Sequence, residues 1–141
     1  MTDFTLTVLA VDDDDLTAEL VERALRKLPG GRFRVVAAGD GAEALAILRG
    51  THAQALSRPH IILLDLNMPR VNGFEFLAEV RADPALRDSV IFILTTSDND
   101  TDRTRAYQDQ VAGYMVKSSV GPQLRRVAAL LGEYHGAVHL P

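Results

Sequence analysis

The stretch TVLAVDDDDLTAEL, residues 7–20, sets four aspartates in a row directly after an apolar run. Two unit charges about 4 Å apart repel by roughly 1 kcal/mol in water and about 4 kcal/mol near a protein surface, so crowded carboxylates need an offset. Solvation, the positive end of a helix and a bound cation are the candidates. An apolar run followed by helix-period residues reads as strand, loop and helix. Asp14 or Asp15 then caps the helix and favours its dipole, while Asp12 and Asp13 end the strand.

Working outward, further apolar or β-branched runs occupy 33–37 (FRVVA), 60–65 (HIILLD), 90–95 (VIFILT) and 112–116 (AGYMV), beside 6–11 (LTVLAV). Most do not alternate in polarity, which is the pattern of strands covered on both faces. Helix-period segments at 15–28, 40–50, 73–82, 98–109 and 119–135 lie between and after them. The joins are short, with turn residues such as PGG at 29–31; only 50–59, GTHAQALSRP, reads as a long surface loop. The alternation predicts an α/β fold, a doubly wound five-stranded parallel sheet with five helices in a three-layer αβα sandwich.

With 141 residues, the chain is expected to form one domain, 1–141, burying about two thirds of its unfolded surface. Having no cysteine, it has no disulfide, zinc-thiolate site or thiol nucleophile. The net charge of −4 and scattered Lys and Arg argue against direct DNA binding and for a basic partner surface. IILL and VIFIL are too short to cross a bilayer, and MTDFTLT lacks the basic and apolar regions of a secretion signal, so a cytoplasmic protein without a membrane segment is expected.

In doubly wound sheets, ligands sit beyond the carboxyl ends of the strands. There the pattern places Asp12 and Asp13 (first strand), Asp65 (third), Thr95 (fourth) and Lys117 (fifth). Three acids with no basic neighbour on their own strands call for a hard divalent cation held by oxygen, and Mg²⁺ is the expected ion. Asn67 could add its backbone carbonyl. Thr95 alone reads as a β-former, and Lys117 as the fixed counter-charge. His52, His60, His135 and His139 show no metal-ligand array, and His135 and His139 read as loop or tail positions.

VDDDD, LLDLNMP, FILTTS and GYMVKS, in this order, resemble the receiver domain of two-component response regulators over residues 5–133, leaving 134–141 as a short extension. Thr95 follows Asp65 by 30 positions and Lys117 follows Thr95 by 22, the spacing those domains keep. The resemblance implies the flavodoxin-like strand order 2-1-3-4-5. It implies Asp65 as phosphoacceptor, Asp12, Asp13, Asp65 and the Asn67 carbonyl around Mg²⁺, and Thr95 and Lys117 on the phosphoryl group. Tyr114 would be the aromatic that changes rotamer. Implied partners are a sensor histidine kinase or a phosphotransfer protein. The outer face of the fourth helix, fifth strand and fifth helix would switch partner binding and serve as a homodimer surface. The protein is then a signalling domain rather than an enzyme, catalysing only its own phosphorylation and slow dephosphorylation. With only about ten residues after the last helix, output would pass through a partner.

Two departures stand out. Ser118 replaces the usual cis proline after the lysine, which predicts a trans, differently shaped loop. The glycine usual near the end of the fourth helix is replaced within YQDQVAG. YHGAVHLP, the 50–59 insertion and VKS together resemble the stand-alone regulators that partner bacteriophytochromes. The rival reading is a haloacid-dehalogenase-type phosphatase, whose DxDxT motif is matched by Asp13, Asp15 and Thr17. Against it, Glu133 is the only acid after Lys117.

Overall fold

A computed structural model describes residues 6–29, 32–52, 56, 58–121 and 123–141. Five strands, β1 (Leu6–Val11), β2 (Phe33–Ala38), β3 (His60–Leu64), β4 (Val90–Thr95) and β5 (Gly113–Val116), pair in parallel in the order β2-β1-β3-β4-β5. The helices are α1 (Asp15–Arg26), α2 (Gly41–Leu48), α3 (Gly73–Ala82), α4 (Asp100–Gln108), α5 (Lys117–Val120) and α6 (Arg125–Ala137).

Strand side chains point alternately to the two faces, so each strand feeds two cores. Ile61 and Leu63 pack on one face with Val21 and Leu25 of α1 and Val127 and Leu131 of α6. Ile62 and Leu64 pack on the other with Ala44 of α2, Phe76 and Val80 of α3, and Ala106 of α4. This double covering explains why the strands read as continuous apolar runs.

The register decides where the strand ends fall. Val11 pairs with both Ala38 and Leu64, so Asp12 and Asp65 leave the sheet side by side, and the Asp65 N–H still reaches the Val11 carbonyl at 2.9 Å. Thr95 pairs with Val116, which puts Lys117 one step beyond it. The loop after β3 is held close to the start of α3, where a Cβ on Gly73 would lie 2.6 Å from the Asp65 carbonyl oxygen. Only glycine permits that approach.

Several boundaries differ from the sequence expectation. The final helix begins at Arg125 rather than 119, and a separate turn of helix, α5, begins at Lys117, giving six helices among the described residues instead of five. Gly121 at φ 85° and Leu124 at φ 52° break the path between them. The GPQL sequence supplies the physical reason, since proline disfavours helix at the residue before it. At its other end α6 runs to Ala137, so His135 is helical rather than in a tail, and its ring meets Phe33 edge-on at 6.4 Å between centroids. His60 is buried in β3, its Nε2 3.4 Å from the Ser89 hydroxyl.

The Lys117–Ser118 peptide is trans, as expected without proline. Gln110 occupies the left-handed position at the end of α4, at φ 65°, in the segment where glycine was missed. Of 50–59, residues 53–55 and 57 lie outside the described residues, as do 30 and 31 of the PGG turn. No described helix is long and apolar enough to cross a membrane.

Candidate functional site at the carboxyl edge of the sheet

Asp14 caps α1 by accepting a hydrogen bond from the Leu16 N–H at 3.0 Å, and Asp15 sits in the first turn beside the positive end of the dipole. These two aspartates have the local roles predicted for them. Asp12 and Asp65 are each only 6% exposed, while Asp13 faces solvent. One oxygen from each of Asp12, Asp13 and Asp65 lies within 4.8 Å of the others. Such a set of carboxylate oxygens, two buried and one open to water, suits a hard divalent cation, so the residues fit Mg²⁺.

Each buried carboxylate has identifiable partners. Asp12 Oδ1 accepts from the Asp14 N–H at 2.9 Å, and its Oδ2 accepts from the Thr17 hydroxyl at 2.9 Å and the Lys117 ammonium at 2.7 Å. Asp65 Oδ1 accepts from the Asn67 N–H at 3.3 Å, and Lys117 Nζ lies 4.0 Å from Asp65 Oδ2. Lys117 thus pairs first with Asp12 rather than with Asp65. Burial pushes the Asp65 pKa up, the charge of Asp12 adds to this, and the Thr95 hydroxyl, the Asn67 N–H and Lys117 only partly oppose it. Burial alone would lower the Lys117 pKa, but the hydrogen bond and charge of Asp12, with the charges of Asp65 and Asp14, raise it overall. The ammonium is therefore a fixed positive charge.

Thr95 is fully buried at the end of β4, and its hydroxyl is among the groups that oppose the upward shift of the Asp65 pKa. The Thr95 Oγ1 also accepts from the Ser97 N–H at 3.3 Å. Ser97 then ties three elements: its hydroxyl donates to Asp102 of α4 at 2.7 Å, and its carbonyl accepts from the Tyr114 hydroxyl of β5 at 2.9 Å. Asp12, Asp13, Asp65, Asn67, Thr95 and Lys117 lie at this edge of the sheet, whereas Tyr114 pairs with Ile93 within it and reaches the edge through its hydroxyl bond to the Ser97 carbonyl.

The motif shared by Asp13, Asp15 and Thr17 does not form a phosphatase site. Asp15 belongs to the first turn of α1, and the buried Thr17 hydroxyl is committed to Asp12. Reading the triplet as a motif hid the role of Thr17. Helical spacing holds the signal that could have found it: Thr17 lies in the first turn of a helix entered directly from Asp12, so its side chain can reach back.

Parallel order 2-1-3-4-5 with an acidic cluster at the switch point defines a receiver-type phosphorylation domain, and the comparisons agree. The family model of the response regulator receiver domain matches residues 8–129, and the chain belongs to that family. It is 35% identical over 127 residues to the probable methanogenesis regulatory protein FilR2 of Methanothrix harundinacea, covering 90% of this chain and 81% of that one. To the response regulator Rcp1 of Synechocystis it is 36% identical over 112 residues, covering 79% of this chain and 76% of Rcp1. The Mn²⁺-bound structure of Rcp1 superposes with a TM-score of 0.81 at 31% identity, covering 96% of this chain and 98% of that one. The phosphorylated cyanobacterial phytochrome response regulator RcpA gives 0.83 at 34% identity, covering 96% and 97%. The protein is thus a receiver domain of two-component signalling, and the phosphatase reading falls.

Proposed function

We propose that the protein accepts a phosphoryl group on Asp65 from a phosphohistidine of a sensor kinase or phosphotransfer protein. The observation that carries this is the meeting of Asp65 with Asp12, Asp13, Thr95 and Lys117 at one strand edge. An Asp65 carboxylate oxygen attacks phosphorus, the P–N bond to histidine breaks with its electron pair returning to the ring, and an acyl phosphate remains. Phosphoryl transfer of this kind depends on positioning and charge neutralisation rather than on a general base. Asp12, Asp13, Asp65 and the Asn67 carbonyl would hold Mg²⁺, which would supply positive charge for the transferring oxygens. Lys117 and the Thr95 hydroxyl hold the phosphoryl oxygens. The Mn²⁺ named with Rcp1 supports a divalent ion in this class of site.

The added charge changes what Thr95 bonds, and the Ser97–Asp102 and Tyr114–Ser97 hydrogen bonds pass that change to α4 and β5, two of the three elements of the α4, β5 and α6 face. This face switches partner binding and serves as a homodimer surface. To invert a 1:99 equilibrium fully takes roughly 5.5 kcal/mol of differential stabilisation, so the rearranged site and the partner would share the task. A bacteriophytochrome-type histidine kinase is the proposed phosphodonor, supported by the likeness to RcpA. The domain assignment is one receiver unit over the whole chain, acting in the cytoplasm.

The test is incubation with acetyl phosphate and Mg²⁺, with the labile acyl phosphate located by mass. Label on Asp65 supports the reading; label confined to another residue, or none, overturns it.

A further inference from the structure

Asp12 is the most heavily bonded side chain of the site, and one of its partners has no place in the phosphorylation chemistry as described. Thr17 is 6% exposed, and its hydroxyl donates to the Asp12 Oδ2 that also receives the Lys117 ammonium. Two donors on one oxygen use both of its lone pairs, while Oδ1 takes the Asp14 N–H. Lys117 stands between two carboxylates, 2.7 Å from Asp12 and 4.0 Å from Asp65.

A phosphoryl group on Asp65 places new negative charge on the far side of that ammonium and draws it across. The move strips a donor from a buried carboxylate, and a buried charge that loses its partner bears the full cost of desolvation. The Thr17 hydroxyl does not have to move. It is fixed by the first turn of α1, whose Thr17 N–H is itself bonded to the Asp14 carbonyl at 3.1 Å.

We propose that Thr17 is a positioning residue for phosphoryl acceptance: its hydroxyl keeps Asp12 oriented and compensated while Lys117 shifts from Asp12 toward the phosphorylated Asp65. This deepens the proposed function and rests on it. The hydroxyl is the working part, so serine substitutes and valine does not.

Two measurements on the full chain test this. The rate of acyl phosphate formation from acetyl phosphate at saturating Mg²⁺ should fall roughly tenfold in Thr17→Val, the loss expected for a hydrogen bond to a charged group, and Thr17→Ser should stay near the unsubstituted rate. In urea denaturation without Mg²⁺ or phosphodonor, Thr17→Val combined with Lys117→Met should lower stability by more than the sum of the single changes, since each variant leaves the other donor alone on Oδ2. Should Thr17→Val not unfold cooperatively, Thr17→Ala replaces it with the same expectations. An unchanged rate in the valine variant, a serine variant as slow as valine, or additive stabilities would overturn the role of Thr17. Absence of label on the unsubstituted protein defeats the proposed function and takes this proposal with it, whereas additivity alongside normal labelling defeats the role of Thr17 alone.

Discussion

Two partly buried cations lie at opposite edges of the sheet, and they are held in different ways. At the carboxyl edge Lys117 bonds Asp12 and approaches Asp65, both charged side chains. At the other edge Arg81, in the last turn of α3, bonds only backbone carbonyls. Its Nε donates to Asp109 at 2.9 Å, its Nη1 to Arg87 and Ser89 at 2.9 and 2.8 Å, and its Nη2 to Gln110 at 3.1 Å. Burial lowers its pKa, against the opposing charges of Asp109 and Asp88. Guanidinium is a rigid fork of donors, whereas ammonium is a mobile point charge. Carbonyls of the chain cannot be given up without unfolding their loops, so Arg81 is a fixed staple. Carboxylates can exchange a lysine for a metal ion or a phosphoryl group, so Lys117 can take part in a switch.

The contrast breaks first at Asp65. Asp65→Asn should abolish acyl phosphate formation, read by intact mass, while leaving a cooperatively folded protein because it removes one of three mutually repelling carboxylates. Arg81→Met should cost roughly 3 kcal/mol in urea denaturation, since four carbonyls lose a charged donor, with labelling of the folded protein near its original rate. Lys117→Met should reverse that pattern. Labelling slows roughly a hundredfold, as when a charge-stabilising donor is removed from an active site. Stability measured without Mg²⁺ falls by less, about 1 kcal/mol, because Asp12 keeps its bonds from Thr17 and the Asp14 N–H. If the two variants lost equal stability, the distinction between staple and switch would fail.

A smaller effect sharpens the picture of the lower edge. His60 shares Ser89 with Arg81, and burial lowers its pKa to about 4, with Arg58 adding to the shift and Asp88 opposing it. The unfolded chain therefore binds a proton near pH 6.5 that the folded chain refuses until about pH 4, so stability falls as pH drops through that window. Between pH 7 and pH 5 the loss attributable to His60 is about 2 kcal/mol. Urea midpoints measured across the range should show a weaker acid dependence in His60→Gln than in the unsubstituted protein, and an equal slope would remove His60 as the cause.

The readable part of this chain was the part governed by local pattern. Apolar runs such as HIILL and VIFIL marked strands covered on both faces, and the residues ending them come together at the candidate site. Asp14 as a cap follows from short-range donors and acceptors. The α5 turn was misread as the start of the last helix because KSSV carries helix-compatible residues, and the break depends on Gly121 and Leu124 taking positive φ. The roles of Thr17 and Arg81 were not legible in the sequence. One was absorbed into a motif that matched by letters, and the other is a surface-type residue whose four acceptors come from segments up to 29 positions away.

By itself the sequence determined the five strands and the chemical types that end them, because hydrophobic periodicity and turn chemistry act over a few residues. Strand register and packing decided the rest: which carboxylate Lys117 pairs with, that Thr17 stands behind Asp12, and that Arg81 closes the opposite edge. Those outcomes depend on which distant groups share a buried volume. In that volume a donor must find an acceptor or bear the cost of desolvation, and only the folded chain brings the two together.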